Sequence, residues 1–259
     1  MDAVNRSRHI AGLGTPASAW AIDPTLADLP FTPLALFAPA GARVVVVAPH
    51  PDDEILACAG LLQLVAARGD AALVVAVTNG EASHPGSSAW PPARLARQRA
   101  HETALALDCL GVEAQVVRLG ILDGGVRAAE DDLAQRLAAL VAPGDLVVTT
   151  WRYDGHPDHE APARACATAR RRRGARLLQA PVWGWHWSAP GDGAIPLRHA
   201  RKLALPAAAV ERKRAALACF ISQTTADAST GAAPILPAFA VERLLHPFEL
   251  YLDEEDHDD

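Results

Sequence analysis

The chain has 259 residues, 50% of them hydrophobic, with a formal net charge of −6 at pH 7. That is long and apolar enough for one large core, and the acidic balance leaves no surplus of cations to neutralise phosphates, so nucleic acid is excluded as an expected partner. A run of about 18 uninterrupted apolar residues is missing, as is a signal-like apolar segment near the start, which points to a cytoplasmic protein with no membrane partner.

A Pro-rich lead-in runs to about residue 41 and is read as a strap over the core. Apolar strands then alternate with helix-length segments. RVVVVAP (43–49) precedes a helix over 52–68, AALVVAVT (71–78) a helix over 93–110, AQVVRLG (114–120) a short helix near 130–141, and DLVVTTW (145–151) a helix over 158–173. RLLQAPVWGW (176–185) reads as a further strand and 210–223 as a helix, followed by an acidic tail at 253–259. Runs of β-branched residues mark strands buried on both faces, and their alternation with helices predicts a single-domain α/β fold, a Rossmann-like and mainly parallel sheet flanked by helices. The basic run 170–173 is expected at the end of a helix, where cations suit the dipole. The widely spaced Cys58, Cys109, Cys166 and Cys219 read as buried apolar residues in a reducing compartment.

In such sheets ligands gather beyond the carboxyl ends of the strands. HPDDE follows the first strand, TNGEASH the second, LDGG the third and WRYDGHPDH the fourth. His50 and Asp53 are three apart at a helix start, so they can point the same way, and imidazole with carboxylate suits zinc. A catalytic zinc needs a third protein ligand, for which His156 and His159 are the candidates. Either cluster alone also fits an ordinary helix N-terminus, where Pro and acids are favoured.

APHPDDE (48–54) with GHPDH (155–159) resembles the PIG-L/LmbE-like family of zinc-dependent N-deacetylases. TNGEASH (78–84), RAHETALALDCLG (99–111), LDG (122–124) and KRAALACFISQ (213–223) match in the same order. The resemblance covers about 43–225, leaving 1–42 as an N-terminal lead-in and 226–259 as a C-terminal extension. It implies that His50, Asp53 and His159 bind Zn2+, with Fe2+ as the other metal, and that Asp52 is the general base. It further implies that His156 stabilises the oxyanion and protonates the departing amine, with Asp158 orienting it and Asp123 second in that role. A nearby carboxylate is expected to keep His156 protonated.

For substrate contacts, Arg99 matches a family position that reaches toward hydroxyl or phosphate groups; the plain alternative is a surface Arg paired with Glu102. Asp154 stands where some sugar-deacetylase relatives carry Tyr and is expected to bond substrate or His156. Trp183, Trp185 and Trp187 alternate, so on a strand they share one face; Trp185 is taken as the representative of a sugar-stacking wall, and the plain alternative is that the stripe belongs to the core or to a subunit contact. The expected function is removal of an N-acyl group, most simply acetyl, from an amino sugar or glycoconjugate. The rivals are an amidase acting on a non-sugar amide and a metal-containing sugar-binding protein without catalysis. Whether the chain forms a homo-oligomer is open.

Overall fold

The computed structural model describes residues 8–253. Val44–Ala48 forms β1, whose residues are all buried, and Asp53–Ala67 forms α1 directly after it. β2 (Ala72–Ala76), α2 (Pro92–Leu110), β3 (Ala114–Arg118), α3 (Glu130–Leu140), β4 (Leu146–Thr150), α4 (Pro157–Arg173) and β5 (Arg176–Ala180) follow in alternation. β6 (Ala200–Ala204), α5 (Ala207–Ala218) and β7 (Phe248–Asp253) complete the main elements. The seven strands form one sheet in the order β3-β2-β1-β4-β5-β7-β6.

β1 pairs in parallel with β2 on one side and β4 on the other, which explains the uninterrupted valines. From β1 the chain steps outward to β2 and β3, then returns to start the other half at β4. The direction of winding therefore reverses between β1 and β4, where an open α/β sheet offers a crevice beyond its strand ends.

Three local departures from the sequence reading have physical causes. β5 stops before Pro181, and Gly184–Trp187 is a helical turn, so the three tryptophans do not share a strand face. The helix expected to reach residue 223 ends at Ala218 and restarts as Ile221–Thr224, with Phe220 between at φ −83 and ψ 63. In the stretch expected as a C-terminal extension, β7 lies between β5 and β6 and is antiparallel to both.

The lead-in buries Trp20, Leu26 and Phe37, and Trp20 Nε1 donates to Trp185 O at 2.9 Å. The residues of the acidic tail beyond 253 lie outside the described residues. Arg170–Arg173 occupy the last turn of α4, which closes on Gly174 in the left-handed region at φ 70.

α1 is kinked at Cys58 (φ −148, ψ 26), which frees backbone groups in its interior. Glu249 on β7 accepts from Gly60 N and Leu61 N at 2.8 Å each, capping the second half of the helix from within. Lys213 on α5 donates to Leu56 O at 2.9 Å and to Glu249 Oε1 at 3.0 Å. Tyr251 donates to Glu249 Oε2 at 2.8 Å, so a buried network holds the helix that carries Asp53.

Candidate active site

The turn after β1 is strained for a purpose that its three acids explain. Asp52 has φ 137, alone among the described non-glycine residues in having positive φ, and residues pay such strain where the surroundings over-determine it. Glu54 Oε2 accepts from Asp52 N at 3.0 Å and braces the turn. Asp53 Oδ2 accepts from His50 N at 2.9 Å, returning its carboxylate to the strand end. Asp52 Oδ2 accepts from Arg99 Nη2 at 2.9 Å.

β4 ends on the opposite side of the crevice, and His156 caps α4 by accepting Asp158 N–H on Nδ1 at 3.2 Å. One turn on, His159 points at the β1 turn. His50 Nδ1, His159 Nε2 and Asp53 Oδ2 form a near-equilateral triangle with edges of 3.3, 3.4 and 3.4 Å. A tetrahedral ion with bonds of about 2.0–2.1 Å holds its ligands about 3.3–3.4 Å apart, so the spacing of this buried donor set fits a divalent metal.

Each imidazole is held from behind by a carboxylate. Asp154 Oδ2 lies 2.8 Å from His159 Nδ1, which directs the Nε2 lone pair to the triangle. Asp123 Oδ1 lies 3.3 Å from His50 Nε2, with Asp158 Oδ2 at 3.9 Å. Burial alone would lower the His50 pKa, but Asp123 and Asp53 outweigh it and push it up to about 10. The same negative field favours a bound cation. Burial would raise Asp123, yet its contact with His50 holds it at about 2.

Several expectations change with this geometry. Asp154 is not a substrate contact: fully buried, it accepts from Val182, Trp183 and Gly184 N–H at 2.8–2.9 Å and orients His159. Asp123 accepts from Ala82 N at 2.9 Å and faces His50, although it also borders the cavity. Asp158 does not pair its carboxylate with His156; it accepts from Gly124 N at 2.6 Å and Val126 N at 3.3 Å, tying the loop after β3 to α4. Burial first, then His159 and His50, push the His156 pKa down to about 3, so the imidazole is neutral and carries its proton on Nε2.

Arg99 is not on a helix surface; only 2% exposed, it donates to Pro51 O at 2.6 Å, Gly80 O at 3.2 Å and Asp52. Gly80, at φ +64, is required there because a Cβ would lie 1.9 Å from Arg99 Nη1. Glu102, the alternative partner of Arg99, instead accepts from Ser222 N at 2.9 Å. Trp185 is buried edge-on against Trp20 with ring centroids 5.0 Å apart and does not line the cavity, whereas Trp183 does. Trp187 stacks on Trp151 and donates to Asp154 O. His186 is structural, bonded to Ala11 O and Arg243.

The cavity over this centre measures about 400 Å³. His50, Asp52, Asp53, Arg99, His156 and His159 line one side, and Leu56, Trp183, Ile235 and Leu236 supply apolar wall. Burial raises the Asp52 pKa to about 7 against the opposing pull of Arg99, with Asp53 adding to the rise. Ile235 and Leu236 were not singled out by the sequence, and Gln223 appeared only as the last residue of the matching stretch KRAALACFISQ; a helix break and a loop bring them here, and neither leaves a periodic signal.

The fold and this centre are similar to those of PIG-L/LmbE-like deacetylases. Residues 45–170 match the family model described as PIG-L, GlcNAc-PI de-N-acetylase. Sequence comparison with curated proteins gives no match. Among solved structures, the zinc-inhibited form of teicoplanin deacetylase Orf2 superposes with TM-score 0.57 at 20% identity, covering 71% of this chain and 85% of that one. The conserved protein TT1542 from Thermus thermophilus gives 0.53 at 28% identity, covering 70% and 80%. GalB, the 4-carboxy-2-hydroxymuconate hydratase from Pseudomonas putida KT2440, gives 0.55 at 21% identity, covering 70% and 80%. The fold thus hosts more than one reaction, and the likeness at these identities is one of fold. No helix among the described residues is long and apolar enough to cross a membrane.

Proposed function

We propose that the protein is a zinc-dependent N-deacetylase that removes an acetyl group from an amino sugar or glycoconjugate. The observation that carries this reading is the placement, at one cavity, of the His50–Asp53–His159 triangle beside a carboxylate, Asp52, that is bonded to Arg99 instead. Two imidazoles and one carboxylate suit zinc, and the same set suits ferrous iron. Held there, the metal would polarise the amide carbonyl and bring the pKa of a water molecule toward about 7.

The residues of the chain supply the rest. Arg99 occupies Asp52 Oδ2, which leaves Oδ1 to take the proton of the attacking water. His156 donates its Nε2–H to the carbonyl oxygen as charge develops, a contact worth about 3–4 kcal/mol in such sites. Asp52 then passes the proton to the departing nitrogen. The acyl group leaves as a carboxylate, and the amine is released. Asp158 acts by fixing the loop over His50. The family description, with its N-acetylglucosamine substrate, supports an amino sugar, and the apolar face of Trp183 suits a sugar ring. The four free cysteines fit the reducing cytoplasm.

Metal analysis combined with amine release from N-acetylglucosamine derivatives, with and without a chelator, tests the reading. Near-stoichiometric zinc and chelator-sensitive release are expected. The likeness to GalB favours a second reading, addition of water to an unsaturated acid; metal without amine release from any N-acyl compound would overturn the first reading.

A further inference from the structure

Gln223 is 1% exposed and lines the cavity, yet its Oε1 has no hydrogen-bond partner. A buried amide oxygen left unpaired is costly, and such a group at a binding cavity is explained by the ligand it awaits. The orientation of this amide is fixed by its neighbour. The Ser222 hydroxyl donates to Glu102 Oε2 at 2.7 Å, so it can only accept from Gln223 Nε2, 2.9 Å away. The nitrogen is thereby committed to Ser222 and the oxygen is left over. Gln223 O accepts from Leu236 N at 2.8 Å, which ties the residue to the apolar wall formed by Leu236, Ile235 and Trp183.

A lone acceptor set among apolar surfaces fits a ring that presents a nonpolar face and one hydroxyl. Building on the deacetylase reading, we propose that Gln223 is a specificity-determining residue whose Oε1 accepts a hydrogen bond from a ring hydroxyl of the acyl acceptor. It selects amino sugars over N-acyl amines of equal bulk without that hydroxyl. A site built to accept a hydroxyl proton rejects the analogue lacking it, because the acceptor is then buried unpaired.

The test uses the metal-loaded protein with methyl N-acetylglucosaminide and its 3-deoxy, 4-deoxy and 6-deoxy analogues, reading binding by calorimetry and amine release in parallel. In the unaltered protein one deoxy analogue should bind roughly 10- to 100-fold more weakly than the parent. In Gln223→Leu that ratio should fall to roughly 1–3, with the parent weakened and the deoxy analogue not. Gln223→Met, unbranched and equally lacking the oxygen, gives the same readout if the leucine variant does not fold. Discrimination that survives in these variants, or that is absent from the unaltered protein, overturns the assignment even where amine is released. Discrimination in binding that depends on Gln223 but comes without amine release supports the assignment and removes the hydrolytic reading. Failure of every sugar to bind overturns the assignment.

Discussion

Asp154 Oδ2 lies 2.8 Å from His159 Nδ1, and the carboxylate that makes this contact is itself fastened by three backbone N–H groups from residues 182–184. The candidate ligand His159 is therefore aimed by a group that the turn after β5 holds in place.

Asp154→Asn puts an NH2 group where an oxygen now accepts. Metal affinity should fall about 10- to 100-fold, as for other groups that orient ligand histidines. Titration of metal-free protein against a chromophoric chelator checks this, and unchanged affinity would mean that His159 is oriented by packing alone.

Asp52→Asn keeps the shape of the strained turn and removes the proposed base. Turnover should drop about 10²- to 10⁴-fold with metal content unchanged. Loss of metal in step with activity would instead place Asp52 among the ligands.

The Lys213–Glu249 pair is buried at both ends, with a 3.0 Å contact. Lys213→Met strands the Glu249 carboxylate and should cost about 3–5 kcal/mol, seen as a Tm lower by about 6–20 °C. A change below about 1 kcal/mol in urea unfolding would show that Gly60, Leu61 and Tyr251 alone satisfy Glu249.

His246 packs flat on Phe248 with centroids 4.9 Å apart and near Trp185; burial, with Lys213 adding, pushes its pKa down to about 4. An imidazole in the unfolded chain titrates near 6.5, so between about 6.5 and 4 the unfolded chain binds more protons. The stability from neutral His246 is complete above about pH 6.5 and is lost as pH falls toward 4. His246→Phe should flatten this part of the stability curve, as measured by urea unfolding at several pH values; an unchanged slope would assign the loss to other groups.

The buried parallel strands were legible because β1, β2 and β4 must be apolar on both faces, which writes them as runs of valine and leucine. The strand-end clusters were legible because ligand chemistry needs histidine and acid at short spacing. β7 was not: its Glu249 is buried for the sake of a helix kink, so the strand lacks an unbroken apolar signature. Nor does spacing reveal which acid backs which imidazole. Asp154 and Asp123 meet their histidines through loops whose course depends on neighbours distant in the chain, and Pro181 turns a plausible tryptophan stripe into a helical turn.

The strand that comes last in chain order stands next to last in the sheet, and its Glu249 and Tyr251 reach the kinked helix that begins at Asp53. The helix after the first strand and the last described strand are thereby interlocked. During synthesis the segment around residue 50 leaves the ribosome early, but its helix lacks its internal brace until residues near 250 follow. A nascent chain halted before β7 therefore holds the candidate ligand residues without the scaffold that sets them.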